Sequence, residues 1–529
     1  MTDLLHDLID ASAERHQDRP ALSYKAEALS YRALAAGVDR VAAALAASGL
    51  AAGDRVAILL EKRPETVLAI FGAAAAGGVF VPLNPLLKPR QVGYILRDCN
   101  VRTLVTSASR AAALEEELAR CPDLKAIITV DGAAKAPAAG IRTASWEAFL
   151  EAGEGRQGRR RRIDTDMAAI LYTSGSTGSP KGVVLSHRNM VAGARSVSRY
   201  LENHAEDRIL SVLPLSFDAG FSQLTTAFAV GAEVVLMNYL LPRDVVRACA
   251  GQRITGLTCV APLWVQLAQQ DWPAEAAESL RYFANTGGHM PRPTLDRLRR
   301  ALPNARPYLM YGLTEAFRST YLDPAEVDRR PDSIGKAIPN AEILVVRPDG
   351  SPCAAGEPGE LVHRGALVSL GYWNDPERTA ERFRPAPGQP AGLPIPEMAV
   401  WSGDIVRTDG DGFLYFVGRR DEMIKTSGYR VSPTEVEDVI YASGLVAEAA
   451  AIGVPHPTLG QAVVVVAAGA EGRPLDTEAV VQACRRDLPL YMVPARVIER
   501  APLPRNPNGK IDRKLLAGEY AAILEEATA

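Results

Sequence analysis

The chain has 529 residues, of which 47% are hydrophobic and 23% charged, a balance typical of soluble globular proteins with several structural units. The formal net charge of −3 gives no electrostatic reason for binding nucleic acid or an anionic membrane, so we expect neither partner. The first seven residues lack the basic region of a secretory signal peptide, and we therefore expect a cytoplasmic protein.

The cysteines lie far apart, without C-x-x-C spacing and without a cysteine–histidine cluster of metal-ligand spacing. We expect reduced, mostly buried thiols in a reducing compartment. They are Cys99, Cys121, Cys249, Cys259, Cys353 and Cys484.

The first half of the chain alternates helical and strand-like patterns. Residues 34–50 are rich in alanine and helical in period, whereas residues 56–60, 104–106 and 126–130 predict strands. The longest apolar run, residues 66–81, is broken by two glycines and followed by a proline, so it is too short to cross a membrane. We predict a buried helix followed by a buried strand there, and an α/β layered sheet overall.

The middle of the chain becomes richer in strands after about residue 332. Residues 341–346, 360–363 and 412–417 predict strands, and the Pro/Gly-rich residues 385–396 predict an irregular loop. Residues 156–162 are basic and contain glycine, which predicts a solvated linker.

The pattern changes again near residue 420. Residues 433–443 and 476–488 predict helices, and residues 447–453 and 462–468 predict strands. Together they indicate a small α+β domain. We therefore predict two domains, residues 1–418 and 419–529, joined by a candidate hinge.

The strongest local motif is the segment Thr173-Ser-Gly-Ser-Thr-Gly-Ser-Pro-Lys181, which follows an apolar strand. Glycines let the backbone approach an anion, while backbone N–H groups, hydroxyls and Lys181 can bind phosphate oxygens. The motif is not a Walker A loop, because Pro180 precedes the lysine, and it has no nucleophile-elbow spacing. It predicts a phosphate-binding loop.

This loop resembles the most diagnostic motif of the AMP-forming acyl-CoA synthetases, peptide-synthetase adenylation domains and beetle luciferases, and the resemblance covers nearly the whole chain. It implies a large N-terminal region of two α/β subdomains plus a β-rich subdomain, with a small mobile α+β C-terminal domain. Further segments match in the family's order: Gly287-Gly-His-Met-Pro, Tyr311-Gly-Leu-Thr-Glu, Trp401-Ser-Gly-Asp, Gly418-Arg-Arg-Asp, residues 425–431 and Asn506-Pro-Asn-Gly-Lys.

By this resemblance the tyrosine of the second segment, Tyr311, stacks on adenine, Thr314 contacts phosphate, and Glu315 helps to hold magnesium. Asp404 accepts hydrogen bonds from both ribose hydroxyls, which suits a carboxylate with two oxygens. The residues implied for ATP are Thr173, Ser174, Gly175, Ser176, Thr177, Gly178, Gly287, Gly288, Tyr311, Asp404 and Arg419.

The resemblance also implies the catalytic groups and the hinge. Lys510 bridges the substrate carboxylate and the α-phosphate, Lys181 contacts phosphate, and Asp421 absorbs the rotation of the small domain. Lys425 and Gly428 line the pantetheine tunnel after that rotation. His289 stands where an acidic residue is common, so we expect a structural or adenine-edge histidine there.

In the implied acyl pocket Phe217 is the gate, and Asp218 stands where amino-acid-activating relatives bind an ammonium. A buried carboxylate needs a partner, which can be a ligand amine or Arg318. The polar, modest lining does not resemble a long fatty-acyl tunnel. The pocket residues are Phe217, Asp218, Ala219, Ser222, Cys259, Asn285, Gly287, Met310, Arg318 and Ser319.

We therefore expect an enzyme that uses ATP and Mg²⁺ to make an acyl-adenylate and passes the acyl group to CoA or another phosphopantetheine thiol. Residues 217–223 and 315–320 look most like exosortase-associated ligases. The expected substrate is a small polar amino acid, dicarboxylic amino acids included, or a short acid.

The alternatives are a longer acyl chain as substrate, a luciferase-like oxygenase and a regulatory nucleotide-binding module without chemistry. A stand-alone adenylation protein is a further alternative. It would load a carrier protein in trans, since no carrier-like segment follows the lysine loop.

Overall fold

The computed structural model describes residues 3–173, 180–390, 392–420, 422–426, 429–456, 459–470, 473–488, 490–506 and 509–524. The helices of these residues are α1 Asp7–His16, α2 Tyr31–Ala47, α3 Pro64–Ala75, α4 Pro89–Asp98, α5 Ala108–Ala113, α6 Glu115–Ala119, α7 Trp146–Glu151, α8 His187–Tyr200, α9 Asp218–Val230, α10 Pro242–Gly251, α11 Ala261–Leu267, α12 Ala274–Ser279, α13 Arg292–Ala301, α14 Pro376–Arg382, α15 Pro433–Ala442, α16 Thr477–Asp487 and α17 Arg513–Glu519.

The strands of the same residues form three sheets. They are β1 Pro20–Tyr24, β2 Glu27–Ser30, β3 Arg55–Leu59, β4 Val79–Pro82, β5 Val101–Thr106, β6 Ala126–Thr129, β7 Arg142–Ser145, β8 Met167–Thr173, β9 Lys181–Ser186, β10 Arg208–Ser211, β11 Glu233–Leu236, β12 Gly256–Val260, β13 Tyr282–Thr286, β14 Arg306–Tyr311, β15 Thr320–Leu322, β16 Ser333–Ala337, β17 Ala341–Val346, β18 Gly359–Gly365, β19 Phe383–Pro385, β20 Met398–Thr408, β21 Leu414–Arg419, β22 Ile424–Thr426, β23 Tyr429–Val431, β24 Val446–His456, β25 Gly460–Gly469 and β26 Arg496–Glu499.

The first sheet has seven strands in the order β7-β6-β5-β3-β4-β8-β9. All its pairs are parallel except β8 with β9. The long apolar run forms α3 and β4, whose residues are almost all buried. A helix that is apolar on all sides lies inside a layered core, so the predicted buried helix and strand are confirmed.

The second sheet joins the second α/β layer to the β-rich region. Its 14 strands follow the order β17-β18-β20-β21-β16-β15-β14-β13-β12-β10-β11-β1-β2, with β19 paired to β20. The pairs from β11 to β14 are parallel, and the pairs from β14 to β21 are antiparallel. The predicted β-rich subdomain therefore continues a parallel sheet.

The third sheet belongs to the C-terminal part of the chain. Its five strands are β23-β22-β25-β24, with β26 paired to β25, and α15 and α16 pack on it through a common apolar cluster. Strand pairing passes from the second sheet to the third between Arg419 and Ile424, where we predicted the domain boundary. A large N-terminal α/β part and a smaller C-terminal α+β part are as expected.

Residues 156–162 form no helix or strand, and most of them are exposed, as predicted for a solvated linker, although two contacts attach the segment to its neighbours. Arg159 forms ion pairs with Asp10 and Asp39. A Cβ added at Gly158 would lie 2.0 Å from a backbone nitrogen of α2. Close contact of glycine with a helix backbone, together with paired guanidinium groups, holds this basic segment against α2.

The structure bears on two further expectations, the burial of the cysteines and the lack of a membrane-spanning helix. Cys99, Cys121, Cys249, Cys259 and Cys484 are buried and Cys353 is partly exposed, all as free thiols. No helix of the described residues is long and apolar enough to cross a membrane.

Candidate active site

The predicted phosphate loop connects β8 and β9, which form an antiparallel hairpin with Thr173 opposite Lys181. Ser174, Gly175, Ser176, Thr177 and Gly178 lie outside the described residues. After the loop, helix α8 begins at His187 with Ser186 as its N-cap. Strand β9 comes between them, and its run of β-branched and aliphatic residues could have indicated it.

Helix α4 anchors both ends of this hairpin. Tyr172, before the loop, donates its hydroxyl to Asp98 Oδ2 at 2.5 Å. Tyr94 donates to the carbonyl oxygen of Pro180, after the loop, at 3.3 Å. The two attachments hold the entry and exit of the loop at the end of the first sheet.

Lys181 lies in a compact polar group with Glu315 and Tyr372. Its Nζ is 2.9 Å from Glu315 Oε1 and donates to the Tyr372 hydroxyl at 2.7 Å. The same hydroxyl donates to Glu315 Oε1 at 2.6 Å. Lys181 and Glu315 therefore form one ion pair, although they are 134 positions apart. We had assigned Lys181 to phosphate and Glu315 to magnesium.

Glu315 remains ionised despite its burial. Burial alone would raise the pKa of this carboxyl, but Lys181, the Tyr372 hydroxyl and Arg382 outweigh it and lower the pKa to about 2. Sequence reasoning missed Tyr372 and Arg382. Both follow β18, in segments without a recognisable motif, and only the fold brings them to Glu315.

The residues predicted to bind ribose lie together on the second sheet. Tyr311, at the end of β14, donates its hydroxyl to Asp404 Oδ2. Arg419, opposite Asp404 on the neighbouring strand, has its Nε 3.4 Å from Asp404 Oδ1. Asp404 Oδ1 is buried without a hydrogen-bond partner among the described residues, so this carboxylate can still accept a hydrogen bond from a ligand.

Lys510 extends from the C-terminal part into the same cleft. A Cβ added at Gly287 would lie 3.6 Å from both Lys510 Cε and Phe217 Cζ. Surrounding protein lowers the pKa of Lys510, while Asp218 and Asp404 oppose that shift. The lysine retains solvent contact, so it lies in an open cleft and not inside a sealed core.

Asp218 and Arg318 face each other in the predicted acyl pocket. Arg318 Nη1 is 3.6 Å from Asp218 Oδ2, and the two side chains are 3% and 4% exposed. Asp218 is the first residue of α9 and accepts the Ala219 N–H at 2.8 Å. Burial raises the pKa of Asp218, although Arg318 favours its ionised form.

A tight turn places Arg318. The preceding residue, Phe317, is fully buried and has φ of 55°. The Arg318 N–H donates to the Ala316 carbonyl at 2.6 Å. A bulky residue with positive φ is strained, so surrounding packing must hold this turn and the guanidinium that follows it.

The other predicted pocket residues lie on neighbouring strands. Ser319 Oγ is 2.9 Å from His363 Nδ1, and Met310 Sδ accepts from Tyr200 at 3.0 Å. Asn285 donates to the Gly288 carbonyl at 2.8 Å, while its Oδ1 is buried without a partner among the described residues. Cys259 is directly opposite Asn285 in the sheet.

A small cavity lies beneath α9. It measures about 10 Å³, and Ala219, Ser222, Gln223, Met310 and Arg318 are among its lining residues. This volume is close to that of a single water probe, so the floor of the pocket is nearly closed by side chains.

The C-terminal part touches the N-terminal part outside the cleft too. His289 Nε2 is 3.4 Å from Asp438 Oδ1 on α15, which makes His289 a structural contact between the two parts. Asp421 and Gly428 lie outside the described residues, and only the backbone of Lys425 is described, opposite Arg430 in β22 and β23.

Comparison with known families identifies this architecture. Residues 9–373 match the family model described as AMP-binding enzyme. Residues 435–510 match the family model described as AMP-binding enzyme C-terminal domain. The chain belongs to the AMP-binding enzyme family. This confirms the family resemblance predicted from the motifs.

AMP-binding enzymes similar to this chain differ widely in size. The chain is 30% identical over 515 residues to a linear gramicidin synthase of Brevibacillus parabrevis, covering 97% of the chain and 6% of that protein. It is 31% identical over 515 residues to indoleacetate–CoA ligase of Aromatoleum aromaticum, covering 96% of each. The chain thus spans a small part of the synthase and almost all of the ligase.

Solved AMP-binding structures share the fold. ATP-bound MatB from Rhodopseudomonas palustris has a TM-score of 0.86 at 26% identity, with 99% of this chain and 100% of that chain covered. The o-succinylbenzoate CoA synthetase of Bacillus subtilis in complex with ATP and magnesium has a TM-score of 0.80 at 26% identity, with 96% and 98% covered. The predicted fold class is confirmed.

Proposed function

We propose that this AMP-binding enzyme activates a short carboxylic acid with ATP and transfers the acyl group from the adenylate to a phosphopantetheine thiol. The observation that carries the proposal is the position of Lys510. The lysine enters the cleft from the C-terminal part and lies beside Gly287 and Phe217, between the ribose carboxylate and the acyl pocket.

The nucleotide fits the side of the cleft formed by the second sheet. Tyr311 offers an aromatic face for adenine, and Asp404 has an acceptor oxygen for a ribose hydroxyl. Gly287 and Gly288 form the adenine-side backbone, and the residues of the phosphate loop together with Lys181 bind the phosphates. Arg419 supports the ribose from the neighbouring strand.

Magnesium fits the donor set around Glu315. The carboxylate is buried, ionised and held by Lys181 and Tyr372, and magnesium in phosphate sites uses one or two carboxylates plus substrate phosphates. When bound, the ion would neutralise charge on the phosphates. Thr314, next to Glu315 on the same short turn, is the proposed phosphate-binding hydroxyl.

In the first step a carboxylate oxygen of the substrate attacks the α-phosphorus of ATP, and the bond to pyrophosphate breaks. Lys510 contributes positive charge where the carboxylate and α-phosphate meet, and Lys181 does so at the phosphates. Such preorganised charges stabilise a transition state without reorganisation. No proton has to be transferred in this step.

In the second step a thiol sulfur attacks the acyl carbon, AMP leaves and the thiol proton passes to solvent. We propose that the C-terminal domain, residues 419–529, rotates about Asp421 so that Lys425 and Gly428 replace Lys510 at the cleft. The acceptor is CoA or a carrier-bound phosphopantetheine. Similar proteins include a CoA ligase and a gramicidin synthase, so both acceptors have support.

The substrate is a small polar amino acid or a short acid. The pocket holds two charged side chains and its floor is almost closed, which is unfavourable for a long apolar chain.

The test is substrate-dependent exchange of labelled pyrophosphate into ATP, screened over amino, hydroxy, dicarboxylic and fatty acids. Exchange with short polar acids is expected. ATP binding without exchange for any acid would contradict the proposal and favour a regulatory nucleotide-binding module.

A further inference from the structure

Arg318 is a buried cation with unused hydrogen-bond donors. A guanidinium carries five N–H donors and cannot be deprotonated in a protein. Arg318 is 3% exposed, and its Nε is buried without a hydrogen-bond partner among the described residues. Such a group is costly to bury unless something satisfies it.

Asp218 does not satisfy it. The separation of 3.6 Å between Arg318 Nη1 and Asp218 Oδ2 exceeds hydrogen-bond length, and a fork-to-fork arginine–carboxylate pair has two short bonds. Elsewhere in the same sheet Arg281 does make such a pair, with distances of 3.1 and 2.7 Å to the two oxygens of Asp207. The contact with Asp218 therefore offsets charge but leaves Arg318 Nε without a hydrogen-bond partner among the described residues.

Arg318 lies at the floor of the acyl pocket, where its Nε is enclosed by protein. Arg318 lines the cavity beneath α9 together with Ser222 and Met310. Lys510 lies at the opposite end, beside Gly287 and Phe217. A short acid whose reacting carboxylate meets Lys510 would thus extend its other end towards Arg318.

We propose that Arg318 is a specificity-determining residue that binds a second carboxylate at the far end of the substrate, so the enzyme activates short dicarboxylic acids. This rests on the proposed function. A second carboxylate supplies two planar acceptors for the guanidinium fork. A neutral alkyl end of the same length would leave the fork unpaired and would be rejected.

The strained turn at Phe317 supports the assignment. It holds Arg318 in place before a ligand arrives, since the turn is closed by the hydrogen bond from Arg318 N–H to Ala316. Preorganised donors bind a carboxylate with little loss of side-chain freedom.

The experiment compares acids matched in chain length: succinate with butyrate, and aspartate with 2-aminobutyrate. For each acid, kcat/KM for pyrophosphate exchange is measured in the wild-type protein and in Arg318→Met, Arg318→Lys and Arg281→Met. The ratio of diacid to monoacid is internal to each protein, so a general loss of stability cancels. Thermal shift with each acid reports binding independently.

The wild-type protein should prefer the diacid in at least one pair. Arg318→Met should lower the ratio by roughly 100-fold, the effect of losing hydrogen bonds to a charged group. Arg318→Lys retains the positive charge but not the planar guanidinium. Its ratio of diacid to monoacid should lie between those of the wild-type protein and Arg318→Met. Arg281→Met, which removes a partly buried, ion-paired arginine outside the pocket, should retain the wild-type ratio.

Two results would overturn the proposal. A wild-type preference for monoacids, or a ratio unchanged in Arg318→Met, would make Arg318 only the counter-ion of Asp218 and would leave the proposed function intact. No exchange with any acid, including those of the wider screen, would overturn both.

Discussion

At the residue scale, some charged side chains of the cleft are paired within the protein and others are free to bind a ligand. Lys181 and Glu315 are paired with each other and with Tyr372. Lys510, in contrast, has no ion pair among the described residues and keeps solvent contact. A cation that is not neutralised by the protein is suited to meet a carboxylate and a phosphate of a ligand.

We predict that Lys510→Ala abolishes adenylate formation but spares thioester formation from a synthetic acyl-adenylate. Loss of transition-state charge should lower pyrophosphate exchange by roughly 100-fold or more. Both half-reactions are measured separately on the same protein. Equal loss in the two would contradict the assignment of Lys510 to the first step alone.

A second prediction concerns Asp218. If its carboxylate binds a substrate ammonium, the wild-type protein prefers amino acids to their deaminated analogues, and Asp218→Ala loses that preference. An unpaired buried charge costs roughly 3–5 kcal/mol, which is ample to change selectivity. Asp218→Asn, similar in shape but neutral, is the matched control and should behave like the alanine variant. Wild-type preference for deaminated acids would leave Asp218 as the partner of Arg318 alone.

At the element scale, the site depends on how the antiparallel strands extend the second sheet. The strand β18 carries His363 into the core, where its Nδ1 lies 2.9 Å from Ser319 Oγ at the end of the pocket segment. The two residues are 44 positions apart. Packing of the β-rich region therefore holds Ser319, a residue of the predicted pocket, in position.

This burial has a consequence for stability. Burial lowers the pKa of His363 to about 3, so the ring stays neutral in the folded protein but takes up a proton in the unfolded chain below its ordinary pKa of about 6.5. The stabilising contribution is complete above pH 6.5 and is lost as the pH falls towards 3. We predict that protonation of His363 in the unfolded chain lowers the free energy of unfolding by about 2 kcal/mol between pH 7 and pH 5.

Denaturant unfolding at both pH values checks this prediction. The variant His363→Gln, which cannot titrate there, should lose about that much less stability on acidification than the wild-type protein. The same pH dependence in the two proteins would show that His363 does not cause it.

At the scale of the whole molecule, the C-terminal part contacts the N-terminal part both inside the cleft and outside it. Lys510 reaches the acyl side, and His289 faces Asp438 on α15. This arrangement suits adenylate formation. A thiol needs access to the same acyl carbon, so we propose that the small domain moves between the steps.

We predict that Asp421→Pro retains adenylation and impairs thiol transfer, because proline fixes φ and resists rotation at this position. The two half-reactions are compared in the variant and in Arg420→Ala, a neighbouring control that leaves the backbone free. Thiol transfer as fast as in the wild-type protein would show that residue 421 is not the pivot.

The sequence by itself determined the family, the α/β class and most of the elements. Periodicity located α3, β4, α15 and α16, because burial on one face or on all faces leaves a local pattern. Four motifs could be recognised in the sequence because each needs a particular residue at a particular turn. They surround Lys181, Tyr311, Asp404 and Lys510. Six residues of the phosphate loop, 174–179, lie outside the described part of the chain, so their roles stay predictions.

Only the tertiary structure decided which distant groups meet. Tyr372 and Arg382 approach Glu315, and Arg318 lies across from Asp218, one hundred positions earlier in the chain, at a distance too long for a hydrogen bond. The β-rich strands join the parallel sheet, and residues 156–162 pack on α2. These contacts depend on long-range packing, which leaves no period or spacing in the sequence, and the availability of Arg318 for a substrate could therefore be seen only in the fold.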